Sequence, residues 1–372
     1  MLARHVYVHV PFCTRRCAYC DFSIAVRSEV PVDDYVSAVR AELRLRYPGG
    51  TSWEVETIYL GGGTPSRLGA DGVARLLDAL CERLALAASA EVTLEANPED
   101  VSREAASRWR AAGVNRVSLG IQSFDDRVLA WMRRTHNASQ GCGAVDAVRA
   151  AGIDNLSVDL IFALPDFLDR RWEADLSRVL DVRPEHVSLY GLTIEHHTPL
   201  GRWVSRGAVA EPGEAVYESE FLDAHAAMAA AGFDHYEVSN FAQRGHRSRH
   251  NSTYWSGAGY AGLGPSAHEF DGRVRRWNVS PYEEWRRRLC AGFDPEGGRE
   301  VLTDTNRRTE TVYLGLRTTS GLRLTDEELE IVRPWVEAGW GTISAEGCLV
   351  LSPRGWLRLD ALASVLTAAR SP

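Results

Sequence analysis

Three cysteines near the amino terminus are spaced for metal chemistry. Cys13, Cys17 and Cys20 form a C-x3-C-x2-C pattern. Three thiolates on one short loop can each bind one iron of a cubane and leave the fourth iron open to an outside ligand. The usual zinc alternative needs a second pair of cysteines or histidines, and none follows at a suitable spacing. The pattern therefore predicts a [4Fe-4S] cluster, with the neighbouring arginines offsetting part of its negative charge.

The cysteine loop follows directly after a predicted strand. HVYVHV, residues 5–10, is β-branched and aromatic, and Pro11 ends the run because it cannot donate to a ladder. Five further strand-like runs alternate with helical segments, and Gly113, Gly152 and Gly232 each follow a predicted helix. Repeated strand–helix units imply parallel strands joined by right-handed crossovers. Six of them predict an α/β fold, an open partial (β/α)6 barrel.

Residues suited to binding a ligand stand where these strands end, the edge at which such barrels place their sites. Gly61-Gly62-Gly63-Thr64-Pro65 follows the second strand and is expected to leave backbone amides bare for a ligand; a tight β–α turn is the alternative. Glu95 ends the third strand and suits an amine or a ribose, or else a helix amino terminus. Gln122 ends the fourth strand. Asp159 lies inside the apolar fifth strand, where an acid is costly without a partner.

The cysteine loop, GGGTP and WMRRTHNA together resemble radical S-adenosylmethionine (SAM) enzymes, and within them the anaerobic coproporphyrinogen III dehydrogenase (HemN/HemW) family. In that superfamily the open iron binds SAM, and an electron from the cluster cleaves it to methionine and a 5′-deoxyadenosyl radical. The resemblance implies that Cys13, Cys17 and Cys20 are the metal ligands. It also implies a set of SAM contacts: Tyr7, Tyr19, Gly62, Gly63, Thr64, Glu95, Gln122, Arg134, Asp159 and Thr193.

WMRRTHNA departs from the family pattern LGRxHxxxxA. Met132 and Arg133 replace Leu and Gly, and Arg134 matches the family arginine, which is suited to holding a carboxylate bidentately. Two adjacent arginines leave open which guanidinium faces the barrel interior.

One position separates members of the family. The dehydrogenases have a further cysteine two residues after the third, and Phe22 stands there in this chain. Cys20-Asp21-Phe22 resembles the heme-chaperone branch, which implies heme binding and delivery to acceptor proteins without coproporphyrinogen oxidase activity. A true oxidase that decarboxylates coproporphyrinogen III is one alternative, and a heme-degrading radical SAM methyltransferase is another. Whether SAM is cleaved stays open.

A segment rich in His, Tyr and Trp follows the predicted barrel. His250-Asn251-x-x-Tyr254-Trp255 resembles the HNxxYW motif of the chaperone branch. Histidine can ligate heme iron, and aromatic rings can stack on a porphyrin. His250, Tyr254, Trp255 and His268 are therefore the heme candidates, with Arg244, Arg247 and Arg249 as cations for the propionates. The alternative is that His250 only braces the barrel mouth by hydrogen bonds.

The remainder of the chain suggests a smaller module. Helix, helix, a hairpin turning at Glu346-Gly347 and a last helix indicate a winged-helix-like α+β shape. We predict a radical SAM barrel over residues 1–235, a connecting region over 236–304 and this module over 305–372, which the family uses as a lid.

The composition limits the classes of partner that this chain can have. The formal net charge of −8 over 372 residues argues against nucleic acid. No run of 18 apolar residues is present, so we expect a soluble, cytoplasmic protein. The resemblance adds heme-accepting proteins, such as respiratory and membrane-associated ones, and an electron donor such as flavodoxin or ferredoxin.

Overall fold

A computed structural model describes residues 3–370 of the chain. Seventeen strands lie within this range: β1 His5–Val10, β2 Phe12–Cys13, β3 Ala25–Val26, β4 Glu54–Gly62, β5 Ala85–Ala96, β6 Arg116–Gln122, β7 Leu156–Phe162, β8 His186–Gly191, β9 Asp234–Glu237, β10 Asn240–Ala242, β11 Ala261–Leu263, β12 His268–Phe270, β13 Val274–Asn278, β14 Glu296–Val301, β15 Leu322–Arg323, β16 Gly341–Ile343 and β17 Cys348–Leu351.

The α-helices of the same range mostly alternate with the barrel strands and then dominate the carboxyl-terminal part. They are α1 Val32–Arg46, α2 Gly69–Cys81, α3 Arg103–Ala111, α4 Asp126–Trp131, α5 Ala138–Ala150, α6 Trp172–Asp181, α7 Pro199–Ser205, α8 Glu214–Ala230, α9 Arg249–Trp255, α10 Tyr282–Cys290, α11 Asp304–Arg317, α12 Asp326–Glu337, α13 Pro353–Trp356 and α14 Leu359–Ala369.

One large sheet carries the fold. Its order is β11-β1-β4-β5-β6-β7-β8-β10-β9. Each neighbouring pair in the series β1, β4, β5, β6, β7 and β8 is parallel. β11 adds a parallel strand beside β1, whereas β10 and β9 add antiparallel strands beyond β8. The sheet does not close on itself, so the predicted open (β/α)6 barrel is confirmed.

The burial of the strands explains their arrangement. In β6 every residue from Arg116 to Ile121 is buried, as expected for a parallel sheet covered on both faces. Gly113, Gly152 and Gly232 have positive φ after their helices, as the sequence predicted. The run ADGVARLLDALCERLALA at residues 70–87 predicts a second helix longer than the observed one, because α2 ends at Cys81 and residues 85 and 86 already pair with β4 at the start of β5.

The region between barrel and module adds a second sheet. β12, β13 and β14 form an antiparallel sheet. The helix α10 lies between β13 and β14 in the chain. Glu42 of α1 ties this region to the barrel. Its buried carboxylate accepts hydrogen bonds from the Gly264 amide (2.9 Å), Asn278 Nδ2 (2.7 Å) and Trp285 Nε1 (3.1 Å), and it pairs with Arg46 (2.9 Å).

The last part of the chain has the winged-helix-like shape that the sequence predicted. β15, β17 and β16 form an antiparallel sheet, β16 and β17 being the predicted hairpin, and α11 packs against α14. The hydrophobic core is continuous from the barrel into this module, and Trp356 Nε1 donates to the Leu316 carbonyl at 3.0 Å. The domain boundaries at 235 and 304 remain predictions. No helix within residues 3–370 is long and apolar enough to span a bilayer.

The Glu42 carboxylate generates a stability prediction. Glu42→Ala would remove the fully buried carboxylate of the pair, leaving the Gly264 amide and Trp285 Nε1 without the acceptor they share and Arg46 with Glu269 as its remaining ion-pair partner, and loss of one member of a buried pair costs about 3–5 kcal/mol. We expect a decrease of that size in the free energy of unfolding, measured by urea denaturation. Glu54→Ala, at an exposed acid, is the control and should change it by less than about 0.5 kcal/mol. Equal effects of the two variants would contradict the assignment.

Candidate functional site

A cavity of about 550 Å³ opens at the carboxyl ends of the barrel strands. Its size is in the range of small-molecule sites. It brings together every residue that the sequence assigned to the cluster or to SAM: Tyr7, Cys13, Cys17, Tyr19, Cys20, Gly62, Gly63, Thr64, Glu95, Gln122, Arg134, Asp159 and Thr193. What each of them contacts in a bound ligand remains a prediction.

The cysteine loop is held by its backbone. The Ala18 amide donates to the Met132 carbonyl (3.0 Å), and the Ala18 carbonyl accepts from the Leu200 amide (2.8 Å). The short strands β2 and β3 pair in parallel and close the loop on itself, with the Arg27 amide donating to the Cys13 carbonyl at 3.0 Å. The thiols are therefore presented by a fixed loop at the cavity wall.

Two of the three thiols have a polar side-chain partner. Cys13 Sγ and Thr64 Oγ1 share a hydrogen bond of 3.3 Å, and Arg134 Nη1 donates to Cys17 Sγ at 3.5 Å. Burial raises the pKa of Cys13 to about 11 and raises that of Cys20 as well, so binding a cluster would release protons. No three His, Cys, Asp or Glu side chains of residues 3–370 converge as ligands of a single ion do. A cubane does not require such convergence, because each thiolate binds a different iron.

Arg134 is the arginine that faces inward. Its Nη2 donates to Asn97 Oδ1 (2.6 Å) and to the Gly120 carbonyl (2.8 Å). Arg133 is exposed, has a left-handed φ of 60°, and lies over the Trp203 ring at 5.0 Å. The family glycine at that position fits this backbone without strain.

The predicted bidentate carboxylate clamp at Arg134 is not open in this arrangement. Both Nη groups already have protein partners, and Nε is buried without one. Burial opposes the charge of the guanidinium, but the neighbouring Tyr19, Cys17 and Glu99 raise its pKa. Arg134 is therefore placed to neutralise charge at the cysteine loop.

The glycine turn is required by packing within the protein, which corrects the expectation of bare amides. The Gly62 amide donates to Glu95 Oε2 (3.1 Å) and the Gly63 amide donates to the Val10 carbonyl (2.8 Å). A Cβ at Gly62, where φ is 109°, would lie 2.5 Å from the His9 ring, and one at Gly63 would lie 2.6 Å from the Pro11 carbonyl. Glycine thus lets the end of β4 lie against the end of β1.

Two acids face the cavity with raised pKa values. Burial raises the pKa of Glu95 to about 7, although Tyr59 donates to its Oε1 at 2.7 Å. Burial likewise raises the pKa of Asp159 to about 6, and Ser118 donates to it at 3.1 Å. Glu95 therefore does not cap a helix. An amine or a ribose hydroxyl entering the cavity would find partners in both acids.

The remaining predicted contacts lie around this centre. Tyr7 donates to His9 Nδ1 at 3.1 Å, because His9 Nε2 donates to the Ser23 carbonyl at 2.8 Å. Gln122 ends β6 with a positive φ of 70°, and Thr193 is exposed at the rim. Tyr19 is partly exposed inside the cysteine loop.

Comparisons with known proteins agree with this site. The radical SAM superfamily model matches residues 7–179. Heme chaperone HemW of Mycobacterium tuberculosis is 39% identical over 97% of this chain and 94% of that protein. The chain belongs to the HemW family of radical SAM proteins.

Other relatives extend the match. Heme chaperone HemW of Escherichia coli is 38% identical over 73% of this chain and 72% of that protein. A mitochondrial radical SAM domain-containing protein 1 of Bos taurus is 33% identical over 98% of this chain and 87% of that protein. The solved coproporphyrinogen III oxidase HemN of Escherichia coli superposes with a TM-score of 0.83 at 20% identity, covering 98% and 90% of the two chains, which establishes the shared fold.

The HNxxYW segment of this HemW-family chain lies at the amino ends of the strands, opposite the cavity. It forms α9, and His250 hydrogen-bonds to Thr57 Oγ1 (2.7 Å) and Tyr254 (2.9 Å). Thr57 pairs with His5, the first residue of β1, which fixes this position. Burial lowers the pKa of His250 to about 3, and the Tyr59 ring stacks on it at 5.1 Å.

These contacts correct the prediction that His250 ligates heme iron. Both ring nitrogens of His250 are bonded and the side chain is fully buried, so it cannot ligate iron in this arrangement. It acts as a brace, but at the amino end of the barrel and not at its mouth. Two of the three cations proposed for the propionates are also engaged: Arg249 pairs with Glu56 (3.9 Å) and Arg247 pairs with Asp234 (3.5 Å).

The other heme candidates differ in access. Tyr254 is packed edge-on against Tyr260, and Trp255 lies under the Arg317 guanidinium at 4.2 Å. His268, the first residue of β12, is exposed, and its ring stacks on Trp277. Partial burial and the charge of Arg275 lower the pKa of His268.

Sequence reasoning missed several residues of the site. Asn97 links Thr64 (3.4 Å) to Arg134, and Tyr190, near the carboxyl end of β8, lines the cavity. Glu99 accepts a hydrogen bond from His136 (3.3 Å). Burial would raise the pKa of Glu99, but its hydrogen bonds and the nearby charge of Arg134 lower it to about 2. The available signal was that Asn97, Glu99 and Tyr190 lie at or near the carboxyl ends of predicted strands, since that edge forms the site.

The bonds of His250 predict a structural effect of its loss. His250→Ala would leave the Tyr254 hydroxyl unpaired beside a new cavity and would leave Thr57 with His5 as its side-chain partner, which costs about 3 kcal/mol in total. Urea denaturation should show that decrease, while hemin bound to the folded variant should keep the wild-type Soret band. His196→Ala, at an exposed imidazole, is the control. A shifted Soret band in His250→Ala without loss of stability would restore His250 as a ligand.

The neighbouring arginines form a matched pair of variants. Arg134→Met removes the cation beside Cys17, and loss of such a supporting group typically weakens metal binding roughly tenfold or more. After anaerobic reconstitution, we expect Arg134→Met to lose iron to a chelator about tenfold more readily than Arg133→Met. A variant with Cys13, Cys17 and Cys20 all changed to Ala sets the cluster-free baseline. Equal retention by the two arginine variants would refute the role given to Arg134.

Proposed function

We propose that this chain is a heme chaperone that binds heme and transfers it to acceptor proteins, and that carries a [4Fe-4S] cluster on Cys13, Cys17 and Cys20 with exchangeable SAM. The observation that carries the proposal is the cavity in which those thiols meet the glycine turn, Arg134 and the two acids. The names of the relatives that match over nearly the whole chain support its heme function.

The residues of the cavity fit such a cofactor set. Three thiols on a fixed loop supply one ligand each to three irons, and the cavity beside them supplies room for the fourth iron's outside ligand. When bound and reduced, the cluster would supply the electron that cleaves SAM. Arg134 offsets the charge of the thiolates, and Thr64 orients Cys13.

The polar side chains of the cavity would orient SAM. Glu95 and Asp159 face it from β5 and β7 and suit an amino group and ribose hydroxyls. Gln122 and Thr193 line the same cavity and can both donate and accept hydrogen bonds. Tyr7 and Tyr19 contribute walls, and the raised pKa values of their hydroxyls keep them neutral.

Phe22 supports the chaperone function over oxidase chemistry. It stands two residues after Cys20, its side chain is 65% exposed, and it lines the cavity mouth. An apolar ring there offers no thiol to the cavity. We further propose that an electron donor such as flavodoxin or ferredoxin reduces the cluster, and that the acceptors include respiratory, membrane-associated hemoproteins.

Two measurements on one reconstituted preparation test the proposed function. Hemin titration should saturate near one heme per chain, as followed by the Soret band, and the loaded chain should pass heme to apomyoglobin, used as a probe acceptor. Anaerobic incubation with SAM, reductant and coproporphyrinogen III should yield no protoporphyrinogen.

The outcomes separate the alternatives. A chain that leaves the hemin spectrum unchanged is not a heme chaperone. Formation of protoporphyrinogen would assign it to the oxidases instead, and the cluster-free triple variant, which should form none, is the control for that product.

A further inference from the structure

A row of residues leads from the cavity to the small sheet of β12, β13 and β14. Tyr7 lines the cavity and pairs with Gly262 of β11, and a Cβ on Gly262 would lie 2.0 Å from the His268 carbonyl oxygen. In the small sheet, His268 pairs with Trp277, which pairs with Gly298. The small sheet therefore lies against the strand that flanks the cavity wall.

The imidazole of His268 is close to this wall, and one face of its ring is held by stacking. It lies near His9, whose ring is bonded to Tyr7 and whose pKa is lowered by burial and, to a smaller extent, by the nearness of His268. The ring stacks on Trp277 with 5.6 Å between centroids and 25° between planes. A Cβ at Gly298 would lie 2.6 Å from the Trp277 ring, so glycine lets the indole lie flat on the sheet.

The ring nitrogens of His268 are free, in contrast to the buried histidines. Among the described residues, no hydrogen-bond partner faces either nitrogen, and the residue is exposed. His9, His186 and His250 each have both nitrogens bonded inside the barrel. Stacking fixes the orientation of the ring and leaves its edge, where the lone pair of a neutral imidazole lies, open to a ligand.

A cation stands on the same face of the sheet. Arg275 lies two residues before Trp277, so the two side chains project to one side, and its guanidinium lies 5.6 Å from the centre of the Phe270 ring. Glu310 and Glu300, which pair with it, are only partly buried. A carboxylate of a ligand could therefore compete for Arg275.

We propose that His268 is an axial ligand of heme iron, with Trp277 positioning the imidazole and Arg275 the cation for a propionate. The proposal rests on the proposed heme function and places the heme beside the SAM cavity. The bond formed is one coordinate bond from the imidazole nitrogen to the iron, with no change of oxidation state. Gly298 supports the site by leaving room for the indole.

Hemin titration of full-length variants tests the ligand. His268→Ala should shift the Soret band and weaken hemin binding at least about tenfold. Added imidazole should restore the band, because it can occupy the position of the missing side chain. His196→Ala should match the wild type. Gly298→Ala keeps the ligand but displaces the indole, so it should weaken binding while keeping the wild-type band.

The results distinguish the two claims. A wild-type chain that binds no hemin would refute the proposed function itself. A wild-type chain that binds hemin, with His268→Ala giving the same band and affinity, would refute only the assignment of His268. Circular dichroism and cluster content of each variant establish that it is folded.

Discussion

A cation held beside three thiols at the cavity wall is the constraint on which the rest of this structure depends. The Arg134 guanidinium is held by Asn97, Gly120 and Cys17, and within residues 3–370 it forms no direct ion pair with a carboxylate, although Glu99 is near. A buried charge of this kind is costly unless negative partners surround it. Thiolates of a bound cluster would supply them, and a chain of hydrogen bonds already joins Cys13 to Cys17 through Thr64, Asn97 and Arg134.

The two ends of the barrel have different roles, ligand binding at one and packing at the other. At the carboxyl ends, the strands deliver thiols, acids and the glycine turn to one cavity. At the amino ends, α9 inserts His250 against Thr57 and closes the interior with bonded, neutral side chains. Glu42 binds Asn278 of β13 and so fixes the small sheet against β11, which brings the exposed His268 next to the cavity wall. The site thus depends on packing far from the cysteines.

Much of this organisation follows from sequence, for physical reasons that can be named. Strand ends of a parallel barrel share one edge, so Glu95, Gln122 and Asp159 could be placed together without coordinates. Arg133 and Arg134 could not be told apart, because the choice depends on the backbone turn after α4, where Arg133 takes a left-handed φ. The glycine amides were misjudged since their partners, Glu95 and Val10, come from other strands. His250 was misplaced for the same reason: Thr57 is 193 residues away in the chain.

The central claim is that the cavity holds a cubane whose fourth iron is open to SAM. Electron paramagnetic resonance of the reduced, reconstituted chain tests it directly. Addition of SAM should change the g values of the cluster signal, because SAM would replace another ligand on that iron. S-adenosylhomocysteine at the same concentration is the control, because it is a related nucleoside that lacks the sulfonium. A reduced cluster whose spectrum is the same with and without saturating SAM would contradict the account.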